Sequence, residues 1–170
     1  MSKRIVLIPV DGSAHGLAAV RRVARDDRES LLRVELLHVT PLFNSRVSRF
    51  TSPGQRDLWR AERSALALEP ALRLLTDAGV ATQAHAATGP VAETIAATAK
   101  RLRVDEIVIG SRKQGPWSRL LGASLSARLL EHSGVPVRVV PSRDASELGR
   151  LAFPAGVGIG LAAIAMLAAD

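Results

Sequence analysis

Residues 104–142, VDEIVIGSRKQGPWSRLLGASLSARLLEHSGVPVRVVPS, constrain the chain more than any other stretch. A short β-branched run, Glu106 to Ile109, gives way at Gly110 to a loop, then to a helix, then to a second apolar run. The first run lacks polar alternation, which suits a strand buried on both faces of a parallel sheet. From about Pro116 or Ser118 to His132, Leu120, Leu121, Leu125, Leu129 and Leu130 recur at spacings of three and four, so one side of the helix is apolar. His132 falls in its last turn, and Gly134 marks a stop. Val135, Val137, Val139 and Val140 predict the next strand, and Pro136, having no N–H to give, predicts that it lies at a sheet edge.

The loop Gly110-Ser111-Arg112-Lys113-Gln114-Gly115 leaves the carboxyl end of a strand. In an open α/β sheet such a loop faces the ligand crevice, and its glycines let backbone N–H groups approach phosphate oxygens. Arg112, Lys113 and Arg119 add positive charge. The alternative reading is that Gly110 and Gly115 are turn residues only.

This stretch resembles the universal stress protein family. One branch of that family cradles the phosphates of ATP with a glycine, two residues, a second glycine, nine residues, then a glycine followed by serine or threonine. Laid on this chain without gaps, the first glycine is Gly110, the second falls on Lys113, the third on Ala123 and the hydroxyl on Ser124. A side chain at 113 either fills space meant for phosphate or supplies charge to an anion, and Gly122 offers a glycine one residue early. The resemblance covers about residues 3 to 142. It implies a five-stranded, doubly wound parallel α/β sheet of order 3-2-1-4-5, with helices on both faces and a crevice between strands one and four. It also implies ATP, with Mg²⁺ accompanying it, as the ligand. Ile109, Gly110, Ser111, Arg112, Lys113, Gly115, Ser124, Leu125 and Ser126 would lie around the phosphates, and Pro9, Val10, Asp11 and Val39 at the adenosine end.

The rest of the chain fits that frame. Met1-Ser2-Lys3-Arg4 leads into Ile5 to Val10, too short for the apolar region of a signal peptide, so a first strand and a cytoplasmic domain are expected. Asp11-Gly12-Ser13 is a turn, and Ser13 or Asp11 can cap a helix from Ala14 to Arg25. This V-D-G-S sequence matches the family's first strand end. Leu31 to Leu42 reads as strand two, with His38 expected to be structural. Phe43 to Asp57 reads as a polar loop over the crevice or a helix-leading segment, and Leu58 to Ala78 as a helix with Leu66, Leu68, Leu72 and Leu75 on its apolar side, a kink or break at Pro70 and a stop at Gly79. Val80 to Ala87 is strand three. Pro90 suits the start of a helix over Val91 to Leu102, and Glu93 compensates its dipole.

Composition excludes several classes. With no cysteine there are no disulfides, thiolate metal sites or cysteine nucleophiles. The histidines show no metal-ligand spacing. The net charge of +7 raises the question of nucleic acid, but the arginines are scattered and aromatics are only 3%. A solvated basic surface, or attraction to anionic lipid or nucleotide, is expected instead of specific nucleic-acid recognition. No Walker lysine, paired acidic metal ligands or nucleophile with a base is evident, so a binding or signalling module with weak or lost ATP binding ranks first. An ATP-binding stress protein ranks second, and an ATPase or nucleotidyl-transfer enzyme third.

Beyond the domain expected over residues 1–142, a polar linker (143–150) precedes residues 151–170, of which Leu151 to Ala169 carry no charge. That is about the length of a membrane-crossing helix. Its seven Leu, Ile, Phe and Val residues favour insertion by roughly 3 kcal/mol, which Pro154 and three glycines partly cancel. Insertion at the inner face of the plasma membrane and packing on the domain or a dimer partner both remain open. A homodimer through the last strand is implied by the family.

Overall fold

The computed structural model describes residues 3–26, 28–42, 52–111, 125 and 127–141. Its elements in chain order are β1 (Arg4–Pro9), α1 (Ala14–Asp26), β2 (Leu31–Thr40), α2 (Pro53–Asp77), β3 (Thr82–Thr88), α3 (Val91–Leu102), β4 (Glu106–Ser111), a helical segment over 127–132 called α4, and β5 (Val137–Pro141). All strand pairs are parallel, and the order is β3-β2-β1-β4-β5, as the resemblance implied.

Strand alternation divides the interior into two cores. Val6, Ile8, Val34, Leu36, Val108 and Val140 face Ala19, Val20 and Val23 of α1 and Leu68, Ala71 and Leu75 of α2. Leu7, Leu37, Ile107 and Ile109 face Ala92, Ile95 and Ala99 of α3 and Leu129 of α4. Both faces of the central strands are therefore covered, the physical reason their sequences run apolar without interruption.

Helix ends follow their local chemistry. Ser13 Oγ accepts from Gly16 N–H at 3.3 Å, which makes Ser13 the N-cap of α1. α2 begins at Pro53, five residues ahead of the expected Leu58, because Ser52 and Gln55 form a reciprocal capping box and proline fits the first helical turn. It runs unbroken through Pro70. Leu66 is exposed, and Ser64 and Ala67 share the buried side with Leu68, Ala71 and Leu75. At its end Gly79 takes φ +67°, with Gly79 N–H to Thr76 O (2.9 Å) and Val80 N–H to Leu75 O (2.9 Å) closing a Schellman turn.

Several strand boundaries differ from expectation: β1 lies one residue earlier than Ile5 to Val10, and β3 and β4 end later, at Thr88 and Ser111. β2 stops at Thr40 and β3 starts at Thr82, each where pairing with the other begins or ends. β5 starts at Val137, not Val135, since Pro136 contributes only its carbonyl, to Ile107 N–H at 2.9 Å. β5 does lie at the sheet edge. The linker and the uncharged segment 151–169 lie outside the described residues. Among the described residues, no helix is long and apolar enough to cross a membrane.

Candidate functional site

β1 and β4 are adjacent, and the chain reverses direction across the sheet between them, so a crevice opens at their carboxyl ends. Two hydrogen bonds fix the end of β1. Val10 N–H donates to Leu37 O at 2.8 Å, and His38 Nδ1 lies 2.9 Å from Val10 O. A carbonyl only accepts, so Nδ1 carries a proton and His38, buried, is a structural residue as expected.

Past this clamp the chain turns sharply. Ser13 N–H donates to Asp11 Oδ1 at 2.9 Å, leaving the exposed carboxylate anchored through one oxygen at the mouth of the crevice. Pro9 follows Leu7 in the alternation and shares its side of the sheet. Val39 and Leu125, both partly buried, and Ile109 pack in the same core. Pro9, Val39, Ile109 and Leu125 therefore share the α3/α4 side of the sheet. Ala87 and Val91 pack into this core too. The residues alone did not nominate them, because nothing in a weakly alternating strand shows which side its alanines take. Val10 points the other way and is buried against α1 and α2, so only its backbone serves the site.

Gly110 is not where the loop opens. It pairs with Val140, and Ser111 with Pro141, so both residues end β4. The glycine is required by close packing: a Cβ there would lie 1.9 Å from the carbonyl oxygen of His15 and 2.6 Å from its carbon, in the first turn of α1. One hydrogen atom's width at Gly110 thus sets how close α1, and with it the Asp11 turn, comes to β4. Arg112, Lys113, Gly115, Ser124 and Ser126 lie outside the described residues.

Glu93 borders the same edge from the first turn of α3. Its own backbone N–H holds the carboxyl below the ordinary 4.5, against a smaller opposing effect of burial, and Arg128 and His132 add to the lowering. Arg128 Nη2 reaches Glu93 Oε1 at 2.5 Å, tying α4 to α3. A carboxylate so held is a poor proton acceptor, in keeping with a dipole-compensating role. Among the described residues, no group of three or more His, Cys, Asp or Glu side chains is placed to hold a metal.

The sequence-only site also missed a buried charge cluster. Glu35, fully buried in mid-β2, accepts from Arg33 Nε at 2.5 Å and lies 2.6 Å from His85 Nε2 on β3. A lone glutamate between Val34 and Leu36 was its only signal.

Comparison with known proteins agrees with this geometry. The model of the universal stress protein family matches residues 2–141. A universal stress protein of Synechocystis sp. (strain PCC 6803) is 29% identical over 142 residues, 81% of this chain and 85% of the relative. Among solved structures, an Arabidopsis thaliana universal stress protein family protein with AMP bound is 25% identical and covers 85% of this chain and 94% of its own, with a TM-score of 0.58. An Archaeoglobus fulgidus universal stress protein in complex with dAMP shares the fold at 19% identity and a TM-score of 0.57, covering 81% of this chain and 96% of its own. With its strand order, its Asp11 turn and a family match across nearly all of the α/β domain, this chain belongs to the universal stress protein family.

Proposed function

We propose that the chain is a nucleotide-binding signalling module that takes an adenine mononucleotide in the crevice between β1 and β4 and holds ATP no more tightly. The observation that carries this reading is the gathering of Pro9, Val39, Ile109 and Leu125 on one side of the sheet, with the exposed Asp11 carboxylate in the turn that leaves β1. This is an apolar shelf for a base, with a hydrogen-bond acceptor at its rim. The adenosine end of the family's pattern is kept, whereas Lys113 and Ala123 replace two glycines of its triphosphate loop. Added phosphates therefore gain little, and Mg²⁺ enters only with a triphosphate. The relatives with AMP and dAMP bound support a monophosphate ligand.

Calorimetric titration of the full chain tests this. AMP is expected to bind, ATP with Mg²⁺ to bind no more tightly, and Asp11→Ala to weaken AMP about tenfold, the value of one hydrogen bond to a charged group. ATP binding well above AMP would show that the altered loop still serves phosphates. Silence towards both at millimolar concentration would remove the nucleotide reading.

The family's pairing of last strands favours a homodimer through β5, whose outer edge pairs with no strand among the described residues and whose Val139 is 45% exposed. Val139→Asp is then expected to halve the mass seen by light scattering, and a wild-type monomer would refute the contact. The uncharged segment 151–169 supplies a membrane tether in this reading. The full chain should float with vesicles and a chain ending at Ser142 should sediment, whereas identical behaviour of the two would exclude it.

A further inference from the structure

Beside the edge strand β3 lies a cavity of about 170 Å³ lined by Arg60, Ala61 and Ser64 of α2 and by Ala86, Ala87 and Thr88 of β3. It is on the opposite side of the sheet from the crevice shelf. Ala86 pairs with His38 and Thr88 with Thr40, and alternation along β2 places His38 and Thr40 on the α2 side and Val39 on the α3 side. Ala61 and Ala86 keep the lining low, and its polar side chains are a guanidinium and two hydroxyls.

Next to Thr88 in the sheet is Thr40. It is 3% exposed, and its hydroxyl has no hydrogen-bond partner among the described residues. A buried hydroxyl left unpaired costs about 1–3 kcal/mol, so its retention at this place calls for a reason.

We propose that this cavity binds a small oxyanion of the phosphate class, held by the Arg60 guanidinium and the Ser64 and Thr88 hydroxyls, with Thr40 completing the set beneath. A guanidinium offers forked donors matched to such an anion, and hydroxyls rotate to donate to it. Among the described residues, no carboxylate lines the cavity. Asp57 pairs with Arg60 Nη1 at 2.9 Å, but its side chain is 72% exposed. An exposed ion pair within one helix contributes little, so an anion making several charge-assisted bonds displaces or shares it.

Titration of the full chain with inorganic phosphate at constant ionic strength, followed by calorimetry, tests the site. One saturable phosphate is expected, with sulfate competing and chloride not. Arg60→Gln and Thr88→Val should each weaken it about tenfold, and Asp57→Asn should tighten it a few-fold by removing a carboxylate that competes for the guanidinium. The gain in Asp57→Asn cannot come from misfolding, which keeps the test valid if Arg60→Gln is unstable. No saturable heat up to about 20 mM phosphate, a range that reaches the weakest specific affinities, overturns the proposal. So does binding indifferent to both Arg60→Gln and Asp57→Asn, which would place the phosphate elsewhere on the chain.

Discussion

Gly110→Ala is expected to destabilise the domain by about 3 kcal/mol, the upper range for overpacking, and to lower its melting temperature by roughly 10 °C. The added methyl would sit 1.9 Å from the His15 carbonyl oxygen and 3.2 Å from Gly16 N, both backbone atoms in the first turn of α1, which no rotamer change relieves. The helix must move off β4. Asp11 and Ser13 move with it, because Ser13 caps this turn and is bonded to Asp11. Nucleotide affinity should therefore fall with stability, although position 110 need touch no ligand. Gly54→Ala is the control: nothing lies within 4 Å of its new Cβ, so it should be neutral or stabilise slightly through the unfolded chain. Thermal melts of the two variants that shift equally would disprove the packing account.

The second large effect concerns Glu35. Its carboxylate is wholly buried and held by Arg33 and His85, whose side chains remain 33% and 22% exposed. Removing Arg33 leaves a buried anion with one partner, and Arg33→Ala is expected to cost about 3 kcal/mol. Removing the anion itself is different, because the Arg33 guanidinium and the His85 ring can still reach water. Glu35→Met should cost less than about 1 kcal/mol, and the double variant Arg33→Ala/Glu35→Met should recover most of the loss. Denaturant unfolding of the three variants checks this. Equal costs for the two single changes, or a double variant no better than Arg33→Ala, would show that the cluster's contribution is packing and not charge.

Much of the fold was legible because it rests on local patterns. The apolar runs of β1 and β4, the stop at Gly79 and the Pro90 start of α3 each act within a few residues. Of the leucines ahead of His132, Leu129 is buried, but Leu130 is exposed and not on the apolar side, and Leu120 and Leu121 lie outside the described residues. α3 was found at Val91–Leu102 without error. The start of α2 was legible too, in the Ser52, Pro53 and Gln55 capping chemistry, but the arginine-rich context of 43–57 read more strongly as loop. Leu66 was misplaced because it stands two residues from Leu68, about 200° around the helix, so the two cannot share a face.

The site was less legible, because its residues are joined by register and not by spacing. Asp11 and Val39 were recognised from family motifs, yet only the pairing of β1 with β2 and β4 shows that Pro9, Val39 and Ile109 share one side while Val10 turns away. By itself the sequence determined the class of fold, because apolar period and turn chemistry are properties of neighbouring residues. Only the tertiary structure decided that Gly110 is a packing glycine, that Glu35 has partners, and that Thr40 and Thr88 stand together under α2. Those facts depend on atoms brought together from distant parts of the chain, and no local pattern encodes the distance between them.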